Sequence, residues 1–172
     1  MSILHSCAIM STMEIDILFD DGFEGCLDEE WLHVIIESAL KAENAGDNIE
    51  MSLLVTGQER IHRLNKEYRK IDKPTDVLSF AMEDEYHSED GEDLSFVGFA
   101  DDVRHLGEVI ISFPQAIMQA EDHRHSVKKE VVILIIHGVL HLLGYDHMED
   151  GEADIMEARE KIILESLSGD LL

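Results

Sequence analysis

Basic residues, cysteine and proline are all scarce in this chain of 172 residues. It holds 13 Lys and Arg against 38 Asp and Glu, which gives a net charge of −25 at pH 7. This negative net charge argues against nucleic-acid binding across the whole surface, because a phosphate backbone is bound by positive charge. Local clusters of basic residues therefore decide whether any nucleic-acid partner is feasible.

The two cysteines, Cys7 and Cys26, form neither a C-x-x-C pair nor a thiolate zinc pattern. A chain of this length that is 45% apolar needs no disulfide to fold. We therefore expect a reducing, cytoplasmic compartment, and the first ten residues lack the pattern of a signal peptide. The most apolar segment, residues 131–145, is too short and too polar to span a bilayer, so no membrane partner is expected.

Chain length predicts a single domain over residues 1–172. A strand-like run begins at Met13, which is also a candidate start, so residues 1–12 are expected to be a flexible extension. Residues 82–102 carry nine Asp and Glu residues and are expected to form an acidic, solvated loop insertion.

Hydrophobic periodicity predicts an α+β fold, with a small mixed β-sheet packed against helices. The helix at 126–143 is apolar nearly all round, so we expect it to be buried. Strands are expected at 13–19, 49–55, within 72–80 and at 107–112, and helices at 29–45, 58–70, 114–125, 126–143 and 149–167.

Three histidines lie in the segment HGVLHLLGYDH, residues 137–147. His137 and His141 are four residues apart and share one helix face. Gly144 lets the chain leave the helix, and His147 follows three residues later. A lone histidine on an apolar face is usually a core residue, but this spacing is typical of three imidazoles around one open zinc site. The segment therefore predicts one Zn²⁺ ion bound by His137, His141 and His147.

The same segment follows the register of the metzincin pattern H-E-x-x-H-x-x-G-x-x-H, except at its second position. That position is Gly138, where the proteases have the glutamate that takes a proton from zinc-bound water. A metalloprotease or another metal-dependent hydrolase is therefore the alternative function, and Gly138 argues against peptide hydrolysis.

A second metal pattern overlaps the first, because DHMEDGEADIME resembles an EF-hand calcium loop. Met148 stands at its third position and supplies no hard oxygen ligand. We therefore favour the interpretation that the acids of this segment begin the last helix, where the positive end of the helix stabilises them. The positions that fit the calcium loop are Asp146, Asp150, Gly151, Asp154 and Glu157.

Residues 60–74 carry six of the thirteen basic residues within fifteen positions. Such a segment is as often a solvated helix face as a binding site. Beside a metal hydrolase site, however, it also suits a phosphate. Arg69 lies near the turn, and an arginine can hold a phosphate with two parallel hydrogen bonds, so Arg69 is the candidate phosphate ligand.

Three blocks together resemble the YbeY family of bacterial endoribonucleases. They are HGVLHLLGYDH, LNKEYRKIDKPTDVLSF at 64–80 and LGEVIIS at 106–112. The resemblance implies an α+β fold whose metal helix is related to that of the zinc proteases. It also implies zinc-dependent, single-strand-specific endoribonuclease action in rRNA processing, at the 3′ end of the small-subunit rRNA, and in ribosome quality control. The implied partners are RNA, the small ribosomal subunit and assembly factors such as a ribosome-associated GTPase.

The resemblance also suggests roles for individual residues. Arg69 matches an arginine that is functionally important in the family, and Glu108 stands where the family usually has aspartate. We expect Glu108 to act as a base or to orient a ligand. Asp146 either holds an imidazole in one tautomer or is a helix-end acid without a chemical role. Ala81 replaces a common proline. A non-catalytic ribosome-assembly factor with a structural metal remains a further alternative.

Overall fold

The computed structural model describes residues 13–82, 103–145, 150–167 and 169–171. The predicted extension at 1–12, residues 83–102 of the acidic insertion, and both Asp146 and His147 lie outside these ranges. Within the described residues the strands are β1 (Met13–Phe19), β2 (Ile49–Thr56), β3 (Val77–Ala81) and β4 (Arg104–Ser112). The α-helices there are α1 (Glu29–Ala42), α2 (Gln58–Tyr68), α3 (Phe113–His123), α4 (Val127–Leu142) and α5 (Asp150–Ser166).

The strands form a mixed sheet in the order β1-β2-β4-β3. β1, β2 and β4 run parallel, and β3 pairs antiparallel with β4 at the edge of the sheet. Parallel neighbours need a crossover connection, and α1 supplies the one between β1 and β2. The predicted α+β class and mixed sheet are confirmed.

Two element boundaries differ from the prediction by three residues. α1 starts as expected, because the Asp28 carboxylate accepts a hydrogen bond from the backbone N–H of Trp31. It ends at Ala42, three residues early, because Asn44 turns into the left-handed region with φ of 51°. β4 begins at Arg104 and not at residue 107, because the backbone N–H of Arg104 donates to the carbonyl of Asn48 at the start of β2.

α4 is the central helix of the core, as its apolar sequence predicted. Ser126 caps it by accepting a hydrogen bond from the backbone N–H of Lys129. Ten of its residues are buried, and it packs against β3 and β4 as well as α1, α3 and α5. No helix in the described ranges is both long enough and apolar enough to cross a membrane.

The two faces of the sheet carry different helices. Ser79 and Val109, which pair across β3 and β4, face α4. The next residues along these strands point the other way, because side chains alternate along a strand. A smaller apolar cluster there packs against α2 and contains Leu54, Ile61, Leu78 and Ile110, with Leu64 and Phe80 at its margin.

Candidate metal centre

Two imidazoles of α4 meet at one point. Nε2 of His141 lies 3.1 Å from Nε2 of His137, and the ring centroids are 4.6 Å apart with the planes at 79°. Two nitrogen ligands of one tetrahedral zinc ion, each bound at about 2.0–2.1 Å, are separated by about 3.3 Å. The separation of these two nitrogen atoms therefore fits a shared metal ion.

The outer nitrogen of His137 is held by a residue of α5. Nδ1 of His137 lies 2.6 Å from Oε1 of Glu160. A carboxylate only accepts hydrogen bonds, so Nδ1 carries a proton, and in the neutral imidazole Nε2 then keeps its lone pair. This carboxylate–histidine arrangement is the one that orients histidine ligands in metal sites. The donor set at His137 and His141 is therefore suited to zinc.

Gly138 sits where α4 lies close against the sheet. A Cβ atom built on it would lie 2.6 Å from Cγ1 of Val109 and 3.3 Å from Oγ of Ser79. The Ser79 hydroxyl also donates to the Gly138 carbonyl at 3.1 Å. A glutamate at this position, as in the zinc proteases, therefore has no room on this face.

A polar network anchors α5 beside the histidines. Arg159, the neighbour of Glu160, donates through Nε and Nη2 to Oε1 of Glu43 at 2.9 and 2.7 Å. The Tyr145 hydroxyl donates to Oε2 of the same carboxylate at 2.7 Å. This contact with Glu43 raises the pKa of the Tyr145 phenol, and it also raises the pKa of the Arg159 guanidinium. The network ties α1 both to α5 and to the chain that leaves α4.

The predicted third ligand, His147, and the adjacent Asp146 are outside the described residues. Their roles therefore stay predictions. The calcium alternative is wrong for the part that is described, because Asp150, Gly151, Asp154 and Glu157 lie within helix α5 and not in a loop.

Arg69 is the C-cap residue of α2, and the buried side chain of Asn65 holds the turn that follows. Asn65 is 3% exposed, and its Nδ2 donates to the carbonyl of Lys73 at 2.8 Å. Its own carbonyl accepts from the backbone N–H groups of Arg69 and Ile71. Lys70 completes the turn in the left-handed region with φ of 60°. The backbone around Arg69 is therefore fixed from inside.

Several basic side chains of this segment are already paired. Arg60 contacts Asp20, and Lys66 donates to Oδ2 of Asp72 at 2.6 Å. Hydrogen bonds from Lys66 and His62 lower the pKa of the Asp72 carboxyl. Within the described part of the chain, the exposed Arg69 guanidinium has no such carboxylate partner. Arg69 is therefore available to an outside anion.

β3 links the α2 turn to the metal helix. The ring of Phe80 meets Tyr68, the neighbour of Arg69, edge-on at 5.1 Å between centroids. The preceding residue, Ser79, bonds to Gly138 on the other face. β3 therefore contacts both the neighbour of Arg69 and the neighbour of His137.

The structure does not bring Glu108 to the imidazoles. Glu108 pairs with Phe80 on β3 and Ser52 on β2, and so lies on the sheet face opposite to Val109 and α4. It lines a groove of about 300 Å³ that also contains the carboxylates of Asp16 and Glu50. Its predicted role as a base beside the metal has no support from this placement.

Sequence reasoning missed Glu160 and Asn65. Glu160 is one of several acids on an acidic helix, so nothing in the sequence distinguished it. Asn65 could have been found, because it falls on the apolar stripe of α2 between Ile61 and Tyr68.

A mixed sheet with a buried helix that aims two oriented imidazoles at one point defines an α+β protein with a candidate metal centre. Comparisons with known proteins agree with this class. Residues 26–168 match the family described as Endoribonuclease YbeY. An Endoribonuclease YbeY of Dehalococcoides mccartyi is 43% identical over 155 residues, which cover 90% of this chain and 93% of the relative. One from Bacillus cereus is 46% identical over 132 residues, covering 77% and 81% of the two chains.

A solved structure is also similar to the chain. The solution structure of TM1509 from Thermotoga maritima is 25% identical, covers 88% of this chain and 87% of that one, and superposes with a TM-score of 0.55. The chain belongs to the YbeY endoribonuclease family. This finding confirms the family resemblance and does not favour the protease and the non-catalytic alternatives.

Proposed function

We propose that this protein is a zinc-dependent endoribonuclease that cuts single-stranded RNA during rRNA processing and ribosome quality control. The observation that carries the proposal is the pair of Nε2 atoms of His137 and His141, 3.1 Å apart, with Nδ1 of His137 held by Glu160. Family membership supplies RNA as the substrate. The small ribosomal subunit, its assembly factors and a cytoplasmic location are part of the same proposal.

Zinc would be held by His137 and His141, with His147 as the proposed third ligand. When bound, the ion supplies Lewis-acid chemistry, by activating water or by polarising a phosphoryl oxygen. Glu160 keeps the proton of His137 on Nδ1, so that Nε2 stays a ligand. Gly138 leaves no side chain between α4 and the sheet, so the proton acceptor used by zinc proteases is missing.

Arg69 would hold the scissile phosphate and balance its developing negative charge. The net charge of −25 opposes binding of RNA to most of the surface. The basic turn of α2 is therefore the local exception that brings an RNA strand to the metal helix. Asn65 supports this role by fixing the backbone of the turn.

The test is cleavage of a single-stranded fragment from the 3′ end of small-subunit rRNA, with metal content assayed on the same samples. Wild type should bind metal and cut, and His141→Ala should lose the cutting and one equivalent of bound metal. His33→Ala is the matched control and should match the wild type, because the side chain of this α1 histidine has no hydrogen bond or ion pair among the described residues. Equal cutting by wild type and His141→Ala would refute the proposal and leave the non-catalytic assembly factor.

A further inference from the structure

A second group of histidines lies where the chain turns from α3 into α4. α3 ends at His123, and Arg124 takes a left-handed backbone conformation with φ of 58°. His125 follows, Ser126 caps α4, and the first turn of α4 carries Glu130. This tight turn brings both imidazoles to the same carboxylate.

Both imidazoles contact one oxygen of Glu130. Its Oε2 lies 3.2 Å from Nδ1 of His123 and 2.9 Å from Nε2 of His125. One ligand atom from each of the three residues lies within 4.8 Å of the others. Two ligands of a single zinc ion are about 3.3 Å apart, so small side-chain shifts would close the group on an ion.

Glu130 is nearly inaccessible to water. Its side chain is 4% exposed, in the first turn of the most apolar helix of the described chain. A buried carboxylate is costly unless positive charge lies beside it. Among the described residues, its side-chain partners are the imidazoles of His123 and His125. The positive end of α4 supplies part of this charge, and a protonated imidazole or a metal ion would supply the rest.

The geometry of His125 suits a metal ligand. Nδ1 of His125 lies 3.1 Å from the carbonyl oxygen of Ser126, which can accept its proton. A doubly protonated His125 would form an ion pair with Oε2 of Glu130 at 2.9 Å, whereas a neutral His125 faces that oxygen with the lone pair of Nε2. Two acceptors this close repel each other, and a divalent cation between them would satisfy both. A backbone carbonyl that fixes the outer nitrogen is also how histidine ligands are oriented in metal sites.

We propose that His123, His125 and Glu130 form a second metal site, which takes one Zn²⁺ ion. Two imidazoles and one carboxylate suit this ion, and His123, 58% exposed, leaves the outer side to water. Glu130 and His137 are seven residues apart on α4, or about 10 Å along its axis, so the two sites are separate. A bound ion would fasten the end of α3 to the start of α4 and stabilise the folded chain.

The experiment counts ions in the full chain after equilibration with Zn²⁺ and dialysis. His137→Ala/His141→Ala removes the ligands of the α4 centre, so an ion that remains reports the second site. That double variant should still hold one equivalent, and adding His123→Ala or Glu130→Gln should remove it. Adding His33→Ala instead, as a matched histidine control, should leave the equivalent in place.

His123 is exposed, so its replacement should leave the fold intact, and circular dichroism checks this. Zn²⁺ should also raise the melting temperature of the double variant, but not that of the triple variant with His123→Ala. If the double variant holds no ion, or if His123→Ala leaves the ion in place, the site is only an ion pair between histidine and glutamate, and the proposal is wrong. Neither readout involves RNA cleavage, so the result is independent of the proposed function.

Discussion

Oε1 of Glu160 and Nδ1 of His137 are 2.6 Å apart, and this contact joins α5 to the helix that carries the histidines. Glu160 thereby sets the tautomer and the ring orientation of His137. Glu160, which belongs to no sequence motif, thus prepares His137 of the histidine motif to bind metal. The effect depends on α5 being anchored next to it, which Arg159 does through Glu43.

Replacing Glu160 with alanine should weaken zinc binding by about 10- to 100-fold, because the outer proton of His137 loses its acceptor. Competition titration with a zinc indicator measures this, in a His123→Ala background that isolates the α4 site. Glu165→Ala, at an exposed position of the same helix, is the control. Equal affinity in the two variants would show that Glu160 does not support the ligand.

Replacing Gly138 with alanine should lower the free energy of unfolding by about 1–3 kcal/mol, because the new Cβ collides with the stiff side chain of Val109. Urea unfolding measures the change. Gly151→Ala is the matched control, since nothing lies within 4 Å of a Cβ there, and it should be neutral or stabilising. A Gly138→Ala variant as stable as that control would contradict the close contact between α4 and the sheet.

Much of the fold could be predicted from the sequence, because hydrophobic periodicity reports directly which residues are buried. The length and apolar character of α4 and the start of α1 at Glu29 were both predicted. The early end of α1 was not, because Asn44 takes a left-handed backbone conformation, which hydrophobic periodicity does not report. The start of β4 was missed because it is set by pairing with β2, a contact between segments far apart in the chain.

The candidate site was predicted only where its residues lie on one element. His137 and His141 needed only helix geometry. For Glu108, alternation in GEVIIS shows that it points away from Val109, but not which face α4 covers. That choice, like the approach of α5 that brings in Glu160, depends on packing between distant segments.

Replacing Arg69 with alanine should reduce the cleavage rate by about 100- to 1,000-fold and leave the zinc content unchanged, because the phosphate loses its charged donor. Arg63→Ala removes an exposed arginine from the same helix and serves as the control, with a rate close to wild type. Single-turnover kinetics on a short single-stranded RNA give both rates. If Arg69→Ala cuts as fast as Arg63→Ala, Arg69 does not act on the phosphate.

Replacing Tyr145 with phenylalanine should lower the free energy of unfolding by about 1–2 kcal/mol near neutral pH, through loss of the hydrogen bond to Glu43. That bond raises the pKa of the phenol, so the neutral form is the stabilised one. Its contribution is present below the unfolded pKa of about 10 and is lost as pH rises through the folded pKa.

Urea unfolding at several pH values should therefore show the difference between wild type and Tyr145→Phe shrinking above pH 10. Tyr68→Phe is the control, because Tyr68 is 61% exposed and keeps its ring contact with Phe80 without the hydroxyl. It should change stability by less than about 0.5 kcal/mol. A difference for Tyr145→Phe that does not depend on pH would contradict the assigned hydrogen bond.

The central claim is that an ion held by the α4 histidines is needed for RNA cleavage. The most direct measurement is cleavage by chelated His123→Ala protein as Zn²⁺ is added back, which excludes the proposed second site. The rate should be near zero in the apo protein and should rise until one equivalent is bound, and His141→Ala should stay inactive throughout. Cleavage by the apo protein at the reconstituted rate would contradict the account.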